Sequence, residues 1–239
     1  MNFVFDLDGT ICFKGQPISP EVTNALWQLH SADHNIIIAS ARPIRDIYPV
    51  IPEWMRQLNM IGGNGAFIQK DQLIAVTAFD CFPQLANLIE QYQLTYLADS
   101  DWDYAYTGNV EHPIYQNIDA NRLAKAHDSY ATLPSIVKLV LFTNDEQIIQ
   151  QVQQLPVEIH LHNNETLIDI SPKNINKYSG LQKLGISEYI AFGNDANDIP
   201  MFKHAKESIC VGNHPEASQL AQQQINPDQI TELILSYLN

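Results

Sequence analysis

Short apolar runs, each followed by polar residues, recur along the first part of the chain. Runs at residues 3–5, 36–39 and 60–61 predict buried strands. Residues 21–30 carry apolar side chains at helical spacing, and a second helix is predicted over 44–58, where two prolines must break it. Strands that alternate with helices over short connections are typical of a parallel sheet.

The middle of the chain has a different pattern. Strand-like segments dominate here, and Trp102, Tyr104 and Tyr106 alternate as residues on one face of a strand do. The predicted elements are a helix at 84–92, strands at 94–98 and 136–142, a helix at 145–155, and a hairpin of 157–162 with 166–170 around Asn163-Asn164. This mixture predicts an α+β module inserted into the first domain.

The parallel-sheet pattern returns after the insertion. The predicted elements are helices at 177–184, 199–205, 215–223 and 228–238, with strands at 189–192 and 208–211. We therefore predict an α/β fold, in which a parallel-sheet core is formed by residues 1–78 and 172–239 and an α+β domain by residues 79–171.

The composition narrows the class of protein. With 13 basic and 27 acidic side chains, the formal charge of −14 argues against nucleic-acid binding through counterion release. No stretch approaches the roughly 18 uninterrupted apolar residues of a membrane span, so no membrane partner is expected. Cys12, Cys81 and Cys210 are isolated, which favours buried thiols and a cytoplasmic location. The oligomeric state is not indicated.

The first predicted strand ends in two closely spaced carboxylates. Asp6 and Asp8 are followed directly by Gly9 and Thr10. Ligands of α/β proteins bind at the carboxyl ends of the strands, and a hard cation such as Mg²⁺ prefers oxygen ligands. A turn is the alternative interpretation of this pair, because Asp and Gly are common turn residues.

Polar segments accompany the other predicted core strands as well. They are Ser40-Ala41-Arg42, the segment that leads to Lys177, and Gly193-Asn194-Asp195-Ala196-Asn197-Asp198. Turns could account for any one of them. Together they combine hydroxyls, cations and carboxylates, which favours one site at the edge of the sheet.

These segments also carry a resemblance to a known family. Asp6-Leu7-Asp8-Gly9-Thr10 resembles the first motif of haloacid dehalogenase superfamily phosphatases, and residues 193–201 resemble the fourth, usually G-D-x-x-N-D-x-x-M. Gly63-Asn64-Gly65-Ala66 resembles the N-G-A loop of the Cof-type subgroup with a type IIB cap. The resemblance covers nearly the whole chain and implies a Rossmann-like core with an inserted cap that closes over the site and selects the substrate.

The resemblance implies a role for each matching residue. Asp6 would be the nucleophile, and Asp8 the general acid and base, with its backbone carbonyl on Mg²⁺. Lys177 would hold phosphoryl oxygens as a third catalytic residue, and Arg42 would either contact substrate or close its motif through a salt bridge. The implied substrate contacts are Thr10, Ser40, Arg42, Lys177 and Asn197, and the implied metal ligands are Asp6, Asp8, Asn194 and Asp198.

The fourth motif departs from the family at one position. Asn194 stands where the family usually has aspartate, with Asp195 beside it. In the simplest register the amide oxygen of Asn194 faces the metal, which removes one negative charge and weakens Mg²⁺ binding. The alternative is a local slip of the loop that lets Asp195 bind instead.

The activity implied by the resemblance is Mg²⁺-dependent hydrolysis of a small phosphate monoester through an aspartyl-phosphate. The expected partner is a small phosphorylated metabolite, either a sugar phosphate or a phosphorylated cofactor. A phosphomutase is one alternative, since it would use the same two aspartates. A non-catalytic sensor of a phosphorylated ligand is the other, and Asn194 is the residue that favours it.

Overall fold

The computed structural model of the protein describes residues 1–162 and 166–238. Its strands are β1 (Asn2–Phe5), β2 (Asn35–Ala39), β3 (Asn59–Gly62), β4 (Phe67–Lys70), β5 (Leu73–Val76), β6 (Tyr96–Asp99), β7 (Tyr104–Tyr106), β8 (Ala126–His127), β9 (Lys138–Leu141), β10 (Val157–His162), β11 (Leu167–Pro172), β12 (Ile190–Gly193), β13 (Glu207–Val211) and β14 (Gln223–Ile225). Its α-helices are α1 (Pro20–Ser31), α2 (Ile44–Ile47), α3 (Phe82–Tyr92), α4 (Pro113–Asn117), α5 (Glu146–Gln153), α6 (Lys177–Leu184), α7 (Ile199–Phe202), α8 (Pro215–Leu220) and α9 (Ile230–Ser236).

The chain forms two compact units. The first combines Met1–Leu73 with the chain from Asn176 onward, and the second is Ile74–Ile175. The second unit therefore extends further at both ends than the insertion predicted over residues 79–171. The added residues include most of β5, which the apolar pattern did not mark as a strand.

The first unit is built on a sheet whose strands follow the order β14-β13-β12-β1-β2-β3-β4. Pairing is parallel from β14 through to β3, and β4 then returns antiparallel to β3. The central strands are almost fully buried, which explains why they read as continuous apolar runs. The predicted α/β class with a parallel sheet is confirmed. The strands β4, β5 and β14 were not predicted from the sequence.

The parallel strands bring distant parts of the chain to one edge of this sheet. Phe3 of β1 is in register with Ile36 of β2 on one side and with Ile190 of β12 on the other. The segments that begin at Asp6, Ser40 and Asn194 therefore leave neighbouring strands at the same end. This is the edge at which α/β proteins bind ligands.

Prolines break the helix predicted over residues 44–58. α2 has only four residues, and 3₁₀ turns follow at Tyr48–Val50 and Glu53–Gln57. Pro49 and Pro52 lie where these pieces begin, since proline cannot donate a backbone hydrogen bond inside a helix.

The second unit has its own sheet, with strand order β10-β11-β9-β6-β7-β8. α3 and α5 cover one face, where Leu85 and Ile148 pack against Leu139 and Ile170 in a common core. The predicted hairpin is present as antiparallel β10 and β11, while its turn at Asn163-Asn164 lies outside the described residues. Trp102 precedes β7 and does not belong to the strand.

The search for membrane-spanning helices covered the described residues. None of the helices found there has the length and apolar character to cross a bilayer.

Candidate active site

A buried lysine joins two carboxylates at the centre of the first unit. Lys177 Nζ lies 2.5 Å from Asp6 Oδ1 and 2.5 Å from Asp198 Oδ1. All three side chains are buried, and Lys177 and Asp198 are fully so. Because two carboxylates share one ammonium, this cluster carries one uncompensated negative charge when both are ionised.

The start of α6 fixes the position of Lys177. Asn176 caps the helix, accepting a hydrogen bond from the Ser179 backbone N–H at 2.9 Å, while Ser179 Oγ accepts from the Asn176 N–H at 3.0 Å. This capping box sets Lys177 as the first helical residue. Gly180 lets α6 approach β3 closely, since a Cβ there would lie 2.6 Å from Ile61 Cγ2.

The loop after β1 turns back onto Asp6. The backbone N–H groups of Ile11 and Cys12 both donate to the Leu7 carbonyl, and Gly9 adopts a φ of 81°. This fold brings the buried Thr10 hydroxyl to donate to Asp6 Oδ2 at 2.8 Å. The sequence analysis assigned Thr10 to the substrate, but in the structure its side chain is enclosed and orients the Asp6 carboxylate.

Asp8 faces a different partner. Arg42 Nε donates to Asp8 Oδ2 at 2.8 Å, and Arg42 Nη2 donates to Asp8 Oδ1 at 2.6 Å. The Asp8 side chain is 45% exposed, in contrast to buried Asp6. Of the two interpretations of Arg42, the structure contains the salt bridge, and this bidentate pair links the loop after β1 to the segment after β2.

Ser40 lies buried at the end of β2, beside the loop that follows β3. Its hydroxyl oxygen accepts from the Arg42 backbone N–H at 3.1 Å, and its carbonyl accepts from the Asn64 N–H at 2.9 Å. Asn197 Nδ2 in turn donates to Asn64 Oδ1 at 3.1 Å. Asn64, buried with a left-handed φ of 56°, is a residue that the sequence analysis noted only as part of a loop motif.

The fourth motif wraps around Asp198. Asp198 Oδ2 accepts from the backbone N–H groups of Asn194 at 2.8 Å and Asp195 at 3.1 Å, and its other oxygen accepts from Lys177. In this arrangement the oxygens of Asp198 hold the loop and the lysine, and its role as a metal ligand stays a prediction. Gly193 makes this possible, since a Cβ there would lie 2.5 Å from Asp198 Cγ.

The loop keeps its expected register. The Asn194 side chain lies against Asp6 and Asp8, whereas Asp195 caps the following 3₁₀ turn and pairs with His214 Nε2 at 3.1 Å. The slip that would present Asp195 to the metal is absent.

Three oxygens converge where a cation would be expected. The amide group of Asn194 points one atom at the Asp8 carbonyl oxygen, 2.9 Å away, and at Asp6 Oδ2, 3.0 Å away. Neighbouring ligands of octahedral Mg²⁺ with bonds of about 2.1 Å lie about 3.0 Å apart. With the amide oxygen inward, both distances match this spacing, so Asp6, Asp8 and Asn194 are candidate ligands of one cation. Among the described residues no cluster of three His, Cys, Asp or Glu side chains has metal-binding geometry, and this set draws instead on a carbonyl and an amide.

Comparison with known proteins decides the family. The sequence matches the haloacid dehalogenase-like hydrolase family over residues 3–230. The chain belongs to this family. The predicted membership is thereby confirmed, and with it the assignment of the chain as a phosphatase-type enzyme.

Curated relatives of this hydrolase family match along most of their length. A 5-amino-6-(5-phospho-D-ribitylamino)uracil phosphatase, YitU of Bacillus subtilis, is 25% identical over 236 residues, covering 89% of this chain and 86% of the relative. The pyridoxal phosphate phosphatase YbhA of Escherichia coli is 22% identical over 262 residues, covering 98% and 95%.

Solved structures of the family share the fold. The HAD subclass IIB sugar phosphatase BT4131 superposes with a TM-score of 0.80 at 19% identity, covering 99% of this chain and 98% of that one. SMU.1108c from Streptococcus mutans superposes with a TM-score of 0.80 at 24% identity, covering 100% and 99%. The predicted α/β fold is therefore shared with these solved structures.

Burial dominates the electrostatics of this hydrolase site. It raises the pKa of Asp6 to about 7 against the opposing charge of Lys177, and the nearby Asp198 adds to the rise. Burial acts to lower the pKa of Lys177, but the two carboxylates outweigh it and the pKa is raised. Burial and the Asp8 charge also raise the pKa of the Cys12 thiol to about 11, which fits a packed cysteine and not a nucleophile.

Proposed function

We propose that the protein hydrolyses small phosphate monoesters with the help of Mg²⁺, through an aspartyl-phosphate on Asp6. The observation that carries this proposal is the environment of the Asp6 carboxylate. One oxygen is held by Lys177, and the other lies beside the Asp8 carbonyl and the Asn194 amide. A carboxylate oriented from both sides is prepared to attack phosphorus in line.

The raised pKa of Asp6 has a consequence for the nucleophile. A protonated carboxyl is a poor nucleophile, so the site needs added positive charge to keep Asp6 ionised at neutral pH. Asp6 Oδ2, the Asp8 carbonyl and the amide oxygen of Asn194 would hold Mg²⁺. When bound, this cation would neutralise charge on Asp6 and on the phosphoryl oxygens.

Lys177 and Ser40 can stabilise the phosphoryl group. Lys177 Nζ donates to Asp6 and Asp198, which leaves the third of its three N–H donors for a ligand oxygen. The Ser40 hydroxyl accepts from Arg42, so its own proton can be donated. Phosphoryl transfer depends chiefly on such positioning and charge stabilisation.

Asp8 is proposed as the general acid and base. It lies two residues after Asp6 and is partly exposed, so a leaving group can reach its carboxylate. Arg42 holds both of its oxygens and thereby orients the group. Asp8 would donate a proton to the leaving oxygen and later accept one from the attacking water.

The substrate class follows from the family and from the charge. The named relatives act on a phosphorylated ribityl compound and on pyridoxal phosphate. We propose that the substrate here is likewise a small metabolite, a sugar phosphate or phosphorylated cofactor. The formal charge of −14 supports a small substrate with a local cation over a polyanionic one.

A phosphatase panel tests the proposal. Purified protein with Mg²⁺ is incubated with sugar phosphates, pyridoxal phosphate and p-nitrophenyl phosphate, and free phosphate is measured. Release from several esters is expected, and no release from any of them would refute the proposal. Formation of a phosphate isomer without free phosphate would instead identify a phosphomutase.

One observation favours a second function. Asn194 supplies a neutral group where the family usually has a charged one, so a ligand sensor without turnover is the alternative. In that case ligands would raise the melting temperature while the Mg²⁺-loaded protein releases no phosphate.

A further inference from the structure

The Asn194 amide is packed in place between two parts of the first motif. On one side, a Cβ on Gly9 would lie 2.2 Å from Asn194 Nδ2, so only glycine leaves room for the amide. On the other side, the inward atom of the amide lies 2.9 Å from the Asp8 carbonyl oxygen and 3.0 Å from Asp6 Oδ2. The amide plane has little freedom, and the main choice left is which of its two ends points inward.

The two orientations suit opposite states of the site. With its oxygen inward, the amide meets the Asp8 carbonyl oxygen and Asp6 Oδ2, which repel it unless a cation lies between them. The Thr10 hydroxyl lies 3.3 Å from this amide oxygen, but it is the closer donor to Asp6 Oδ2, at 2.8 Å. With its nitrogen inward, the amide donates hydrogen bonds to both, and its other end is satisfied as well. The nitrogen-inward orientation therefore suits the metal-free site, and the oxygen-inward orientation suits the site with a cation.

We infer that Asn194 is a reversible stand-in for the cation. Its N–H₂ group binds Asp6 and the Asp8 carbonyl in the metal-free protein, and the amide turns over to present its oxygen when Mg²⁺ binds. This inference rests on the magnesium site of the proposed function.

The charges of the buried cluster explain why an amide is useful here. Asp6 and Asp198 carry two negative charges against one on Lys177. An aspartate at position 194 would add a further negative charge beside Asp6, with no donor to offset it. Asn194 thus stabilises the metal-free site, and the cost is a weaker, neutral ligand for the cation.

The central experiment compares wild type with Asn194→Asp, without substrate. Mg²⁺ binding is measured by calorimetry, and the melting temperature is measured in EDTA. We expect Asn194→Asp to bind Mg²⁺ about tenfold more tightly or better, and to melt several degrees lower than wild type in EDTA. Asn194→Ala removes both the donor and the ligand oxygen. It should lower both the Mg²⁺ affinity and the melting temperature in EDTA.

Asn213→Asp is the matched control. Asn213 is exposed and lines the same cavity as Asn194, so this variant adds one charge nearby without touching Asp6. It should leave both the Mg²⁺ affinity and the melting temperature in EDTA close to wild type. Equal effects of the two substitutions would overturn the inference, because general charge and not the amide would then be responsible.

The wild-type protein offers a test that does not depend on folding of a variant. Titration with Mg²⁺ should shift the side-chain ¹⁵N–H₂ signals of Asn194 strongly, while those of Asn213 stay nearly unchanged. Unmoved Asn194 signals at saturating Mg²⁺ would overturn the inference. None of these readouts involves turnover, so a failed phosphatase panel would count against the proposed function alone.

Discussion

Each unit of this protein contains a buried lysine paired with aspartate, and the two clusters differ in charge and in completeness. In the first unit Lys177 serves two carboxylates, and every oxygen of Asp6 and Asp198 has a hydrogen-bond donor. In the second unit Lys138 pairs with Asp169, and the buried Asp99 of β6 lies in register with Lys138 on the neighbouring strand. There the buried Asp169 Oδ1 and Ser171 Oγ find no hydrogen-bond partner among the described residues.

The difference separates a site from a structural pair. The Lys138–Asp169 pair is an ion pair on the sheet of the second unit, and polar atoms beside it stay unsatisfied among the described residues. The Lys177 cluster is fully hydrogen-bonded but one positive charge short, and it lies beside three converging oxygens. Rigid geometry combined with a charge deficit is what a phosphoryl-transfer site with a cation requires.

The largest expected effect comes from the nucleophile. Asp6→Asn keeps the shape of the side chain but removes its nucleophilic oxygen, so turnover should fall by about 10⁴-fold or more. Phosphate release from p-nitrophenyl phosphate measures this, with a melting curve to show that the variant is folded. Asp169→Asn is the matched change in the other cluster. A folded Asp6→Asn variant with substantial turnover would refute the assignment of the nucleophile.

Removing either lysine should destabilise the protein strongly. Lys177→Met leaves Asp6 and Asp198 buried without their ammonium, and Lys138→Met does the same to Asp169. Each change is expected to cost about 3–5 kcal/mol of unfolding free energy. The two clusters should differ in whether a second, apolar substitution of the aspartate restores the lost stability. The double variant Lys138→Met/Asp169→Leu replaces both members of an ion pair with apolar groups and should recover most of the stability in urea titrations.

The same rescue should fail for the other cluster. Lys177→Met/Asp198→Leu still leaves Asp6 buried and also removes the acceptor that holds the fourth-motif loop. Full recovery of stability in this double variant would show that the Lys177 cluster is merely another structural pair.

The sequence predicts the position of a site residue well where that residue lies at the end of a strand or the start of a helix. It predicts the position poorly where hydrogen bonds within a loop determine which way the side chain points. Asp6 and Lys177 follow from a strand end and a helix start, and the structure brings them together as expected. For Thr10 and Asp198, the family resemblance implies contacts with the substrate and with the metal, respectively. The loop closing on the Leu7 carbonyl and the fourth motif wrapping around Asp198 turn both inward, and apolar periodicity carries no information about such turns.

The raised pKa of Asp6 predicts a pH dependence of stability in the metal-free protein. Asp ionises near 3.8 when unperturbed and at about 7 in the folded protein, so the folded state holds the proton longer. This contribution is fully present below about pH 4 and is lost as the pH rises to about 7. In EDTA, wild type should therefore lose more stability between pH 5 and pH 8 than Asp6→Asn does. Parallel pH profiles would contradict the shift.

The smallest effect distinguishes two buried hydroxyls. Thr10 Oγ1 donates to Asp6, so Thr10→Val should cost about 1.5–3 kcal/mol of unfolding free energy, as expected for a lost hydrogen bond to a charged group. Ser171→Ala removes a hydroxyl that bonds to none of the described residues, so its cost should be near zero. Urea titrations of the two variants measure the contrast. If Ser171→Ala lowered the unfolding free energy as much as Thr10→Val does, the Lys138 cluster would be as fully hydrogen-bonded as the Lys177 cluster. The distinction between a site and a structural pair would then rest on charge alone.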